Sequence, residues 1–472
     1  MKLFGISEFS ARLPNVICGV LSVGMIYFFG LKNNNRRFAL LWVLSFLGGF
    51  LSLIFFKSGI IDPWFNLFIY GGILLFIEGY FKSKREEKYA IHIIFSGIFI
   101  GLAVLTKGPV AIILSAVPIL LFFFMNRSVL DYPFKLFALW ASVFIAVASS
   151  WFIYETYSHG FTYLHEFLKY QVRLFSIEDA EHGGFPGYHF IVILIGCFPA
   201  SILCLKQFKT KLKPDFNSDD IFISINSILL IVVLTIFSIV QTKIIHYSSL
   251  AYFPLSYLAA NFFSGTLLLN KVQKSLLVGI GLFYALALFA LAYFSDLKNG
   301  VILHTKNINI IEQFSQRIEL SSMEKWVTIL IAVCFMIAIF HFVYSTALKS
   351  IIAVFAAMIL IVELFYFVHL PKLERYSQGG IIDFCKGSAS DDAFYHTFRM
   401  KSYAIYYYTN YQLNDSMASN RTWLIENNNL NKDCYFVAPK KAKPEIDSVF
   451  THYKLVYDER GVVVYKKSKN PL

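Results

Sequence analysis

Long apolar runs dominate the chain, and short charged or Gly/Pro-bearing breaks separate them. A helix that crosses a bilayer needs about 20 mostly apolar residues. Twelve runs reach or approach that length, at 13–30, 39–56, 65–81, 91–106, 109–125, 136–153, 188–205, 221–240, 247–266, 275–294, 326–345 and 350–368. Only Thr106-Lys107-Gly108 divides the fourth from the fifth, so these two are tightly paired or one is short. Within 154–187 the pattern changes. Phe161, His165, Leu168, Val172 and Phe175 recur at roughly helical spacing among polar residues, which predicts a helix lying in the membrane interface. Beyond 369 come polar turns such as Asn427-Asn428-Asn429 and alternating runs at Tyr453–Tyr457 and Gly461–Tyr465, which predict strands. The aromatic stretch Ser402–Tyr408 predicts a helix or strand that could pack on the membrane face. The expected fold is an all-α polytopic membrane domain over 1–369 and a small extracytoplasmic α/β domain over 370–472.

Composition narrows the class further. Of 472 residues, 57% are hydrophobic and 15% charged, against about 25% charged in a soluble domain, and the mean hydropathy is +0.59. A water-soluble globule, a disordered chain and a collagen-like fibre are excluded. The net charge of +12 would suggest nucleic acid in a soluble protein, but here it is distributed by side. One set of alternate loops holds sixteen Lys and Arg, among them Lys32, Arg36, Arg37, Lys82, Lys84 and Arg85. The other holds nine, mostly in the two longer loops. The first set is therefore cytoplasmic, and loops 57–64, 154–187, 241–246 and 295–325 and the tail lie outside. No nucleic-acid partner is expected. Cys18, Cys197, Cys204 and Cys334 read as small core residues, while Cys385 and Cys434 could pair if the tail is in an oxidising compartment.

The candidate chemistry gathers on the outer side. Asp62 heads a span, where its carboxylate could accept a proton, orient a sugar hydroxyl or bind a cation; the plainer reading is a helix N-cap with Pro63 at the first helical position. Lys107, set between two apolar runs, could meet a phosphate or simply snorkel to the interface. Lys169 and Arg173 are four residues apart on one helical face and could grip a phosphate, and His182-Gly183-Gly184 leaves the backbone open to close approach. Lys243 and Tyr247, one turn apart, could hold a phosphate or a polar headgroup, or act as interfacial anchors. His165, Glu166 and His182 leave a divalent metal open, but without a strong ligand spacing; no cofactor is otherwise indicated.

In order along the chain, Glu8-Phe9-Ser10-Ala11-Arg12-Leu13-Pro14, Asp62, Leu105-Thr106-Lys107-Gly108-Pro109-Val110, Tyr170-Gln171-Val172-Arg173, Glu181-His182-Gly183-Gly184 and Lys243-Ile244-Ile245-His246-Tyr247 resemble the ArnT-like, protein-mannosyltransferase-related glycosyltransferases of the GT-C fold. The resemblance covers roughly 1–265. It implies transfer of a sugar from a polyprenyl-phosphate carrier to a lipid A-like or protein acceptor, on the periplasmic side of a bacterial inner membrane. It makes Asp62 the acidic, catalytic residue of the second outer loop, acting on acceptor or sugar, Lys107, Arg173 and Lys243 the donor-phosphate residues, and Lys169, His182 and Tyr247 pocket residues. It also implies one further span and a first outer loop with a catalytic Asp. This sequence starts at the family's second span, so Met1 is expected to be a misassigned start or the frame truncated. An anionic-lipid flippase and an inactive truncated paralogue are the alternatives.

Overall fold

The computed structural model describes residues 3–125, 134–176, 184–209, 218–263, 268–305, 311–312, 314, 318–345, 347–388, 393–409, 432–449 and 453–469. The helices that position the site are α1 (Glu8–Asn33), α2 (Arg36–Leu47), α3 (Phe50–Phe55), α4 (Asp62–Lys84), α5 (Ala90–Lys107), α6 (Val110–Met125), α7 (Phe134–His159) and α8 (Phe161–Ser176). After them come α9 (Tyr188–Gly196), α10 (Ala200–Leu203), α11 (Ser218–Ile239), α12 (Tyr252–Phe262), α13 (Lys271–Ala292), α14 (Phe294–His304), α15 (Ser322–Ser345), α16 (Leu348–Leu364) and α17 (Leu370–Ser388).

Among the described residues each of the twelve apolar runs contains helix, but only eight of these helices are long and apolar enough to cross a bilayer. A ninth span results if α9 and the helical stretch Ala200–Gln207 count together, bent by 111°. That bend falls at Pro199, whose ring and missing N–H forbid a continuous helix. The remaining three expected spans are short or broken for similar local reasons. Gly48-Gly49 splits the second run into α2 and α3. Val110–Met125 follows a break at Gly108-Pro109. The ninth run opens as a 3-10 segment, Ile245–Ala251, before α12 begins. The last run continues past 369, through a π-helical turn at Phe365–His369 into α17.

The chain packs as two compact units, Met1–Phe283 with Cys334–Val362 and Tyr284–Val333 with Glu363–Leu472. In the first, α4 is the central element. It is buried along nearly its whole length, as expected of a helix that is apolar on every side. Glycines let α5 approach closely on both flanks. A Cβ at Gly72 would meet Ile100, and one at Gly101 would lie 2.7 Å from Val147 of α7. Without a hydrophobic gradient between helices in lipid, such close packing is what holds them together. At the end of α4 remote from Asp62, buried Glu78 pairs with Lys32 and lies 3.4 Å from His92.

The second unit holds the expected sheet, in the order β1 (Ala393–Thr397), β2 (Asp433–Pro439), β4 (Val462–Lys467) and β3 (Lys454–Glu459). Strands β1 and β2 are parallel and the other pairs antiparallel. The two expected strands meet in a hairpin whose Arg460 and Gly461 both have positive φ, 55° and 77°, as a two-residue type I′ turn requires. Within Ser402–Tyr408, Ala404–Tyr408 forms a short helical turn that buries Ile405 against one face of the sheet. Cys385 packs on that same face, while Cys434 points into the opposite core. Both are free thiols, so the sheet itself separates the pair that sequence left open. Cys334, expected in the core, is exposed on α15.

Candidate active site

Asp62 does not cap its helix. It is the first residue of α4, its carboxylate makes no cap hydrogen bond, and it is 4% exposed. Instead the Lys107 ammonium, at the last residue of α5, donates to its Oδ1 at 2.6 Å. Lys107 therefore does not snorkel outward. It lies 5.1 Å from the ring centroid of Tyr247 and 5.6 Å from that of Phe65, so two π faces add to the carboxylate's hold on the cation. Two residues 45 apart in sequence meet because α4 and α5 form an antiparallel pair that starts and ends at the same level.

This pair sits in the wall of a cavity of about 590 Å³. Asp62, Phe65 and Asn66 of α4 line it, with Thr106 and Lys107 of α5, Trp151 and Phe152 of α7, Tyr163, Phe167 and Tyr170 of α8, Phe237 of α11, and His246 and Tyr247. The wall is mostly apolar and aromatic with a few polar groups at one point, the usual form of a small-molecule site. Helix α8 forms where a helix was expected. It follows α7 directly after Gly160, whose φ of 76° makes the turn.

Sequence reasoning placed His246 at this junction but gave it no role. Its Nε2 lies 3.9 Å from Asp62 Oδ2. Burial pushes the imidazole's pKa down, Asp62 lifts it, Lys107 pushes it down again, and the balance lies below the ordinary histidine value. Asn66, also without a role in the sequence reading, donates to Ser249 Oγ at 2.7 Å, and that hydroxyl donates to the His246 carbonyl at 2.5 Å. The signal for Asn66 was its spacing, one turn beyond Asp62 on the same helix face.

The other expected residues are placed differently. The Lys243 ammonium is 6% exposed and donates to the Phe237, Ser238 and Val240 carbonyls at the end of α11, closing that helix. Burial lowers its pKa. The close approach that Gly184 allows is to the Lys243 stem, whose Cγ would lie 2.9 Å from a Cβ there. Arg173 is exposed on α8, and its guanidinium carbon lies 5.3 Å from the ring centroid of Tyr170, itself a cavity residue. Lys169 is exposed on the same helix. His182 lies outside the described residues. His165 is 3.5 Å from Glu166, and among the described residues no three His, Cys, Asp or Glu side chains gather as a metal site.

A multi-pass membrane protein with an aromatic cavity around a carboxylate–ammonium pair is the class that fold and site define. Residues 1–154 match the dolichyl-phosphate-mannose-protein mannosyltransferase family. The solved ArnT of Cupriavidus metallidurans bound to undecaprenyl phosphate superposes with a TM-score of 0.74, at 16% identity, covering 100% of this chain and 87% of that one. The fold is therefore ArnT-like. An uncharacterized Aquifex aeolicus protein is 28% identical over 260 residues, 54% of this chain and 55% of its own length. The undecaprenyl phosphate-alpha-4-amino-4-deoxy-L-arabinose arabinosyl transferase of Photorhabdus laumondii is 23% identical over 296 residues, 61% of this chain and 53% of that protein. The chain spans about half the length of the curated relatives it matches.

Proposed function

We propose that this chain is a membrane glycosyltransferase that takes a sugar from a polyprenyl-phosphate carrier and gives it to a lipid or protein hydroxyl. One observation carries the reading: a buried carboxylate and a lysine ammonium, drawn from separate helices, meet 2.6 Å apart in an aromatic cavity at one end of the bundle. An acceptor oxygen attacks the anomeric carbon as the bond from that carbon to the phosphate oxygen breaks, with inversion. The acceptor loses a proton, and the carrier phosphate leaves with the bonding pair. Asp62 supplies the negative charge that draws off the proton, and Lys107 the positive charge that meets the departing phosphate. Lys107 gives Asp62 one of its three N–H groups, leaving two to reach the anion. Tyr247 and the α8 tyrosines flank the sugar and the first isoprene units, and Arg173 reaches the diffuse charge of the phosphate from the rim beside Tyr170.

The site is read as opening on the periplasmic side of the bacterial inner membrane, with the sheet region on that side too. Support comes from the loop charge: Lys82, Lys84 and Arg85 cluster at the end of α4 opposite Asp62. The test is radiolabelled transfer from a polyprenyl-phosphate sugar in membranes carrying the chain. Asp62→Asn and Lys107→Ala are each expected to lower turnover about 10²- to 10³-fold at unchanged expression. Wild-type turnover by both variants would remove this cavity from the reaction.

A further inference from the structure

Tyr247 sets an aromatic face against the Lys107 ammonium from a short 3-10 segment, Ile245–Ala251. Hydrogen-bond geometry in such a segment is poorer than in an α-helix, so it keeps its place through outside support. Here the support can be followed bond by bond. The peptide unit between His246 and Tyr247 is held at both ends. Its N–H, on Tyr247, donates to the Ile244 carbonyl at 3.0 Å, and its carbonyl, on His246, accepts the Ser249 hydroxyl at 2.5 Å. The Ser249 oxygen in turn accepts from the Asn66 amide of α4 at 2.7 Å. Asn66 and Ser249 are both buried, so bulk water is not at hand to replace the link when it is cut. A peptide unit is planar, so fixing its two polar ends fixes the place from which the Tyr247 side chain departs.

We infer that Asn66 is a positioning residue, which acts through Ser249 and the 246–247 peptide to set the Tyr247 ring against the Lys107 ammonium. Asp62 stands one turn earlier on the same helix. Helix α4 therefore holds the cation twice, directly by the carboxylate at 2.6 Å and indirectly through the ring at 5.1 Å. A second tie braces the turn. The Ser248 hydroxyl lies 3.0 Å from Nδ1 of His189 on α9, and Phe237 packs between that imidazole, at 5.9 Å, and the Tyr247 ring, at 5.7 Å. The effect on rate rests on the sugar-transfer reading: an ammonium moved out of line with the departing phosphate stabilises less of the charge that builds there. The placement of the ring does not depend on that reading.

Two measurements on the full chain test this. In lipid nanodiscs, with 3-fluorotyrosine in place of tyrosine and Tyr247→Phe assigning the signal, the Tyr247 fluorine resonance is expected to move on Lys107→Met, on Asn66→Leu and on Ser249→Ala. A resonance that stays in place in any of the three refutes the linkage. In the transfer assay, Asn66→Leu and Ser249→Ala are each expected to lower kcat about 10- to 100-fold with KM nearly unchanged. In a chain that already carries Tyr247→Leu, neither should lower it further, because the ring they place is gone. A wild-type kcat in either single variant, or losses that multiply in the double variants as a general weakening of the fold would make them, overturns the proposal. If Asn66→Leu does not fold, Ser249→Ala, which deletes one hydroxyl, decides both tests alone. The fluorine signal needs no turnover. A chain that transfers no sugar therefore refutes the sugar-transfer reading alone, while the resonance still decides the linkage.

Discussion

Charged side chains buried at helix ends show how much a residue's role depends on which partner reaches it first. Asp62, Lys107 and Lys243 all read from sequence as polar groups at junctions between apolar runs. In the fold, Lys107 reaches a carboxylate, whereas Lys243 reaches three carbonyls of its own preceding helix. The structural expectation for Lys243→Ala is a loss of about 1–3 kcal/mol of stability, because buried carbonyls lose their donors. Thermal unfolding in detergent measures it, and unchanged melting with weakened donor binding would instead place Lys243 on the phosphate. Arg173→Ala is expected to abolish transfer while expression holds, and turnover at the wild-type rate would remove Arg173 from the site. Asp62 and Lys107 could be picked from sequence because an ionisable group beside a span is costly and needs a reason. The assignments of Asn66 and His246 needed the fold. Their partners lie 183 and 184 residues away, and no local pattern encodes such contacts.

At the scale of elements, breaks mattered more than runs. Every apolar stretch formed helix, but Gly48-Gly49, Pro199 and the 3-10 opening before α12 decided which stayed long. Small residues set how close the long ones come. Gly101→Leu is expected to push α7 from α5 and cost about 1–3 kcal/mol, seen as a lower melting temperature in detergent. An unchanged melting temperature would show that the helices can part without loss. In the sheet, ion pairs predict an acid sensitivity. Burial pushes the Asp433 and Asp458 carboxyls up, but Lys466 on the first and Lys440 and Lys443 on the second outweigh it and hold both below the ordinary carboxylate value. Groups with depressed pKa stabilise the fold above their unfolded value, near pH 4, and lose that contribution as the pH falls through the folded value. Hydrogen exchange at the β2 and β4 amides should therefore accelerate below about pH 4. Protection that persists to pH 2 would show that these pairs do not hold the sheet.

At the scale of the molecule, the apolar helices and the sheet follow different solvent logic. Among the helices, lipid accepts apolar side chains all round, so helices can be exposed and still stable. Helix α7 is buried over only 6% of its apolar window, whereas α4 and α11 reach 78%. Across this gradient, invisible in hydropathy, Tyr70–Asn226 joins the two most buried helices, and Asp62 on α4 meets Lys107 at the end of the half-exposed α5. In the second unit, a four-stranded sheet buries a core on each face, as expected of a domain in water.

The sequence pattern by itself determined a bundle of membrane helices ending in a small sheet, because apolar runs of about 20 residues satisfy their backbone in lipid as helices and the tail alternates with a period of two. It also pointed to one end of the bundle, since Asp62 opens one span, Lys107 closes the next and Tyr247 lies just before a later one. Only the tertiary structure decided which of those groups meet, because pairing depends on close contacts between helices far apart in sequence. It brought Lys107 to Asp62, turned Lys243 back onto its own helix, and set His246 against the carboxylate's second oxygen.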